Sequence, residues 1–209
     1  MRRRDCLVFF CLLASTSAVA TEPVVGLPCE GCEAVFEGLP ANPASMSRIA
    51  PPGEPGERLL LSSLVSGADG KPRPGVVVYA YHTDSGGIYP KPAKSLGKAA
   101  DRHGRLRGWA LTDGNGRYEF ETIRPGAYPD RNIPQHIHMH VIERGCATYY
   151  IDEILFTDDP LLKPANMHEE KRGGSGITTP KRDSSGTWLV TRDIRLGLNI
   201  PGYPGCSAS

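Results

Sequence analysis

The apolar residues of this chain come in short runs broken by glycine, proline and charge, and the runs are strand-like in length and composition. Arg58-Leu-Leu-Leu-Ser-Ser-Leu-Val65 is the first candidate strand. The turn signal Ala68-Asp-Gly-Lys-Pro-Arg-Pro-Gly75 leads into Val76-Val-Val-Tyr-Ala-Tyr-His82, a β-branched and aromatic run suited to a buried strand. Trp109–Thr112 and Arg117–Thr122 flank Asp113-Gly-Asn-Gly116, a hairpin signal. Two further strands follow, from about Gln135 to Glu143 and from Ala147 to Phe156, and Thr187–Leu196 reads as the last. Residues 90–107 and 158–186 are polar and read as loops. Some seven short strands with turn signals between them predict an all-β fold, an antiparallel prealbumin- or immunoglobulin-like β-sandwich.

The 24 glycines and 19 prolines fit that reading, and proline crowds residues 21–57 most densely. That segment is expected to be an extended N-terminal arm laid across a body formed by residues 58–209. Ahead of it, Met1-Arg-Arg-Arg, the apolar run Leu7–Ala14 and Ala18-Val19-Ala20 have the parts of a secretory signal peptide, residues 1–20, cleaved after Ala20. The apolar run is too short for a membrane span. The expected product is secreted or periplasmic, soluble and free of the membrane. A formal net charge of +1 gives no reason to propose nucleic acid as a partner. Four cysteines remain after cleavage, Cys29, Cys32, Cys146 and Cys206. Structural disulfides are expected in an oxidising compartment, with three pairings open. A zinc site at Cys29-x-x-Cys32 would want a second close cysteine pair, which the sequence lacks.

The chemistry gathers between Tyr118 and His140. Residues i and i+2 of a strand share a face about 7 Å apart, so His136 and His138 converge while Ile137 turns to the core. Tyr128, set by the Pro125-Gly126 turn, and Tyr89, beside Ser85-Gly86-Gly87, offer phenols to the same point. Alternating histidines can also line a strand face, and Tyr128 could be a satisfied core tyrosine. His140, on the ligand face, reads as a hydrogen-bonding neighbour of the site, a surface residue, or a ligand in another metal site. His82 and Asp84 are candidate pocket residues, with a core histidine and a turn aspartate as their plain readings. His103 and His168 sit in polar segments and are expected to be exposed. The basic residues of 90–107 read as a solvated loop that could also draw anionic substrates to the site.

Four pieces together resemble the intradiol ring-cleavage dioxygenases, the catechol and protocatechuate 3,4-dioxygenase group, especially exported single-chain members. They are Tyr81-His-Thr-Asp-Ser-Gly-Gly-Ile-Tyr89, Arg107-Gly-Trp-Ala-Leu-Thr-Asp113, Gly116-Arg-Tyr-Glu-Phe-Glu-Thr-Ile-Arg-Pro-Gly-Ala-Tyr128 and His136-Ile-His138. The resemblance implies a non-haem Fe(III) cofactor held by Tyr89, Tyr128, His136 and His138, since two hard phenolates favour ferric iron. It implies cleavage of a small aromatic diol by dioxygen to a cis,cis-muconate derivative, with Tyr128 both ligand and departing base. It also implies a homo-oligomer. The sequence departs from the family at Ile133, where a substrate-stabilising arginine is usual, leaving Arg131 as the candidate substitute. Glu153 stands where a pocket glutamine is common. The competing expectations are an exported, non-catalytic sandwich module, or a zinc or copper protein using His136, His138 and His140.

Overall fold

In the computed structural model, residues 23–29, 31–164 and 169–206 are described. The expected signal peptide and His168 lie outside them. The strands, in chain order, are β1 (Met46–Arg48), β2 (Arg58–Ser66), β3 (Val77–Tyr81), β4 (Arg107–Leu111), β5 (Arg117–Ile123) and β6 (His136–Glu143). There follow β7 (Ala147–Phe156), β8 (Ile177–Thr178), β9 (Lys181–Arg182), β10 (Trp188–Val190) and β11 (Ile194–Arg195). They form two stacked sheets. One runs β1-β5-β2-β10-β9 with β11 also on β2, and the other runs β4-β3-β6-β7-β8. The expected sandwich is observed, and its long pairs β2–β5, β3–β4, β3–β6 and β6–β7 are antiparallel. Short strands β1, β8, β10 and β11 add in parallel, so both sheets are mixed.

Alternation explains the layering. Leu59, Leu61 and Val65 of β2 and Tyr118 and Phe120 of β5 point inward, and meet Val78, Ala80, Ile137, Met139 and Val141 of the second sheet. Every residue of β3 is buried, because the outer face of the second sheet is covered as well. Val77, Tyr79 and Tyr81 pack there with Val35, Trp109 and Ile142. The cover is the N-terminal arm, which folds into a 3₁₀ turn at Cys32–Val35. Arg107 donates to the carbonyls of Ala34 and Glu37, and Trp109 Nε1 donates to that of Val35 at 2.8 Å. The arm also contributes β1, which pairs with β5 from Met46 to Arg48.

The Asp113–Gly116 turn forms, with Asp113 Oδ1 accepting from the Asn115 and Arg117 amides, but it does not make a hairpin. It carries the chain from β4 in one sheet to β5 in the other. Residues 90–107 are not a plain solvated loop, because α1 (Lys98–His103) forms within them and buries Ala99, Ala100 and His103. Within 158–186, β8 and β9 replace part of the expected loop. The expected last strand splits into β10 and β11 because Arg192 turns inward between them. Its guanidinium donates to the carbonyls of Arg172 and Asp193 at 3.0 and 2.8 Å, while Tyr118 Oη donates to its own carbonyl. The cysteines pair as Cys29–Cys32 and Cys146–Cys206.

Candidate active site

The site lies on the outer face of the second sheet, where β6 presents His136, His138 and His140 while Ile137, Met139 and Val141 fill the core. A bulge between Ile137 and Met139, in the pairing with β7, adjusts the histidine end of the strand. The two tyrosine-bearing turns meet through glycine. A Cβ on Gly87 (φ +80) would collide with the Ala127 carbonyl, and one on Gly126 would collide with the backbone of Ser85 and Gly87. Gly126 N donates to the Asp84 carbonyl and Thr83 Oγ1 to the Gly126 carbonyl, both at 2.8 Å. The Gly-Gly and Pro-Gly signals are therefore one device that brings Tyr89 and Tyr128 together.

Four heteroatoms result in close series. Tyr89 Oη is 2.7 Å from Tyr128 Oη, which is 3.1 Å from His136 Nε2, which is 3.1 Å from His138 Nε2. His136 Nδ1 lies 2.7 Å from the Pro134 carbonyl, so that nitrogen carries the proton and Nε2 offers its lone pair to the cluster. Burial pushes the Tyr89 phenol well above its ordinary pKa, with the Tyr128 hydrogen bond adding to the shift. Burial, reinforced by His136, holds the His138 imidazole well below its usual value. Both shifts favour the neutral forms of Tyr89 and His138. Donors bonded at about 2.0–2.2 Å to one metal ion and adjacent around it are about 3 Å apart. The observed spacings and the phenol–imidazole donor set thus fit a hard, high-charge ion such as ferric iron.

A cavity of about 740 Å³ opens on the cluster. Tyr81, Tyr89, Tyr128 and His138 line it, together with Arg131, Tyr150, Ile151 and Glu153. Arg131 is brought within reach of the tyrosine, its Cζ 6.0 Å from the Tyr128 ring centre. Glu153 also lines the cavity.

The remaining pocket candidates do not line it. His82 is fully buried between the Thr83 carbonyl (2.6 Å) and Thr122 Oγ1 (2.7 Å), and burial lowers its pKa to about 4. Asp84 closes a turn by accepting from the Gly86 and Ile88 amides. Ile133 points to solvent, 37 % exposed.

Sequence reasoning missed Tyr81 and His103. Tyr81 stacks on His138 with ring centres 4.6 Å apart and on His103 at 3.6 Å. The period-two pair Tyr79, Tyr81 opposite the histidines was the available signal for the first. His103 is 4 % exposed rather than solvated, because α1 turns it under the arm. His140 is buried too, not a surface residue. Half of the basic character of 90–107 is spoken for: Arg102 pairs with Glu33, Arg105 with Glu54, and Arg107 is buried.

A β-sandwich that gathers two phenols and two imidazoles beside one cavity is an enzyme-like scaffold. A family model described as dioxygenase matches residues 40–175. The chain belongs to this family, the intradiol ring-cleavage dioxygenases. It is 33 % identical over 116 residues to the protocatechuate 3,4-dioxygenase beta chain of Burkholderia cepacia, covering 53 % of this chain and 49 % of that one. It is 29 % identical over 154 residues to catechol 1,2-dioxygenase 1 of Acinetobacter lwoffii, covering 60 % and 48 %. The chain therefore spans about half the length of these curated relatives. Among solved structures it resembles the dioxygenase domain of a dioxygenase carbohydrate-binding protein fusion from Streptomyces sp. SirexAA-E. That match has a TM-score of 0.53 and 25 % identity, over 77 % of this chain and 94 % of that one.

Proposed function

We propose that this protein cleaves a catechol-type aromatic between its two hydroxyl-bearing carbons, using dioxygen and a ferric ion held by Tyr89, Tyr128, His136 and His138. The observation that carries the reading is the convergence of Tyr89 Oη, Tyr128 Oη, His136 Nε2 and His138 Nε2 at spacings of 2.7–3.1 Å. Bound there, ferric iron supplies a hard Lewis acid that makes a diol hydroxyl more acidic. The chain does the rest. Tyr89 and Tyr128 both border the open cavity; Tyr128 receives the proton of a substrate hydroxyl, and Tyr89 stays in place. The Pro134 carbonyl fixes the His136 ring, and the Tyr81 ring, stacked on His138, fixes the other imidazole. Arg131 faces negative charge developing on the substrate oxygens. Arg131 and Glu153 both line the cavity and their opposite charges offset there, which suits a neutral catechol better than a carboxylated one.

Two disulfides support an exported protein, in line with the basic and apolar leader. The purified chain, loaded with ferric iron, should absorb in the visible through phenolate-to-iron charge transfer, shift to longer wavelength with anaerobic catechol, and consume oxygen on a catechol panel. A chain that stays colourless after ferric reconstitution refutes the assignment. Colour without turnover on any diol leaves a metal-binding module instead.

A further inference from the structure

A second cluster lies in the same cavity, beside the four proposed iron ligands and sharing none of them. Cys29 and Cys32 of the arm, His103 of α1 and His140 of β6 meet where the arm crosses the sheet. The ligand atoms of Cys29, Cys32 and His140 all lie within 4.8 Å of one another, and Cys29 Sγ is 3.7 Å from His140 Nε2. His140 is 3 % exposed, and its Nδ1 is buried without a hydrogen-bond partner among the described residues. The nitrogen that faces the cysteines is Nε2, so the ligand atom and the unpartnered Nδ1 are different atoms of one buried ring. An unpartnered buried nitrogen is itself uncommon in a packed protein. His103 approaches from the other side. Its Nδ1 is held by Tyr79 Oη at 2.9 Å, and its Nε2 sits against Gly31, between the two cysteines, where a Cβ would collide with it.

We infer that Cys29, Cys32, His103 and His140 form a second metal site, of the Cys₂His₂ type, that opens to zinc(II) when the Cys29–Cys32 disulfide is reduced. A Cys-x-x-Cys pair with two histidines is a complete tetrahedral donor set for zinc. Here the second half of the set comes from distant segments, which is why no second cysteine pair is needed. Donors at about 2.0–2.3 Å from one zinc are about 3.3–3.8 Å apart. Cys29 Sγ and His140 Nε2 already stand 3.7 Å apart. The two sulfurs part to that spacing once their bond opens, and His103 swings in to complete the set. The Tyr79 hydroxyl plays the outer partner that orients a ligating histidine.

Opening is a two-electron step. A dithiol reductant adds two electrons and two protons across the Cys29–Cys32 bond, giving two thiols, and itself closes to a disulfide. Zinc(II) then binds the two sulfurs as thiolates and releases both protons. The oxidised chain, with no thiolate to offer, does not bind zinc there. The site rests on its own residues and stands whether or not the chain cleaves catechols.

The test uses the full chain, oxidised and after reduction with a dithiol that is removed anaerobically, titrated with cobalt(II) as a coloured substitute for zinc. The reduced chain should show a thiolate-to-cobalt charge-transfer band with tetrahedral visible bands, abolished by excess zinc and absent from the oxidised chain. Cys32→Ser should lose the thiolate band, and His140→Ala should weaken cobalt binding at least tenfold. No thiolate band in the reduced chain overturns the inference. So does an unchanged band in Cys32→Ser, which still carries Cys146 and Cys206, or unchanged affinity in His140→Ala. The comparison of oxidised with reduced chain needs no variant to fold.

Discussion

Gly87→Ala tests whether the contact between the two glycine turns is what assembles the site. Gly87 has φ +80, a region where an L side chain costs about 1–2 kcal/mol. Its new Cβ would also press on the Ala127 carbonyl and come within 3.2 Å of Pro129 Cδ. Gly70 provides the control, with φ +75 and nothing within 4 Å of a built Cβ. Gly70→Ala should therefore lose only the conformational term. Gly87→Ala should lose that and a further ~2 kcal/mol for forcing backbone apart. In a domain of this size, each kcal/mol lowers Tm by about 2–4 °C, so the two variants should differ by about 4–8 °C.

The same displacement moves Ala127 and with it Tyr128. If Tyr128 is the ligand and proton acceptor proposed above, a shift of about 1 Å there is enough for a loss of about 100-fold in turnover. Thermal unfolding, iron content and the visible band after ferric reconstitution would be compared for wild type and both variants. Gly70→Ala should keep the band and Gly87→Ala should lose or shift it. If Gly87→Ala matches Gly70→Ala in stability and retains the band at full strength, the glycine contact does not position the tyrosines.

Arg131→Ala should lower kcat/KM for catechol by tenfold or more with the iron band intact, and Arg131→Lys should restore part of it; unchanged turnover removes Arg131 from the reaction. Burial raises the Glu143 pKa, while hydrogen bonds from Tyr149 Oη (2.6 Å) and Tyr203 Oη (3.0 Å) oppose the shift. The folded chain therefore holds the proton more tightly than the unfolded one. Glu143's contribution to stability is fully present below the ordinary carboxylate range and declines as pH rises through the raised value. Glu143→Gln should flatten that decline in a series of urea midpoints against pH. The Cys146–Cys206 bond spans 60 residues and the Cys29–Cys32 bond three, so on chain entropy they contribute about 4 and about 2 kcal/mol. Replacing Cys146 and Cys206 by serine should lower the urea midpoint about twice as far as replacing the other pair.

Local pattern carried the strands well, and partner choice poorly. The bounds of β7 and nearly those of β2, β3, β5 and β6 were legible, because each is a short run ended by a turn signal. The Asp113–Gly116 turn was legible as well, but turn chemistry sets the local bend and not which sheet receives the next strand. The parallel strands β10 and β11 were hidden by Arg192, whose inward turn depends on carbonyls of Arg172 and Asp193 that only the folded chain brings near. His103 was misplaced for a similar reason. Its surroundings in sequence are polar, and its burial comes from the arm, held by Arg107 and Trp109 to carbonyls some seventy residues earlier.

Within the site, His136 and His138 were the legible pair because their spacing and their strand's burial share one cause, while Tyr89 and Tyr128 were legible through their glycine turns. The period-two register that sends Ile137, Met139 and Val141 into the core is the register that turns His136, His138 and His140 outward. A slip of one residue would bury imidazoles between the sheets and expose the apolar set, so the core selects the arrangement that builds the site. The arm and α1 then cover part of the outer face, stacking His103 on Tyr81 and Tyr81 on His138. Core register and arm docking are thus coupled through β3 and β6. A substitution that frees the arm, such as Arg107→Ala, should loosen the His138 ring without touching it.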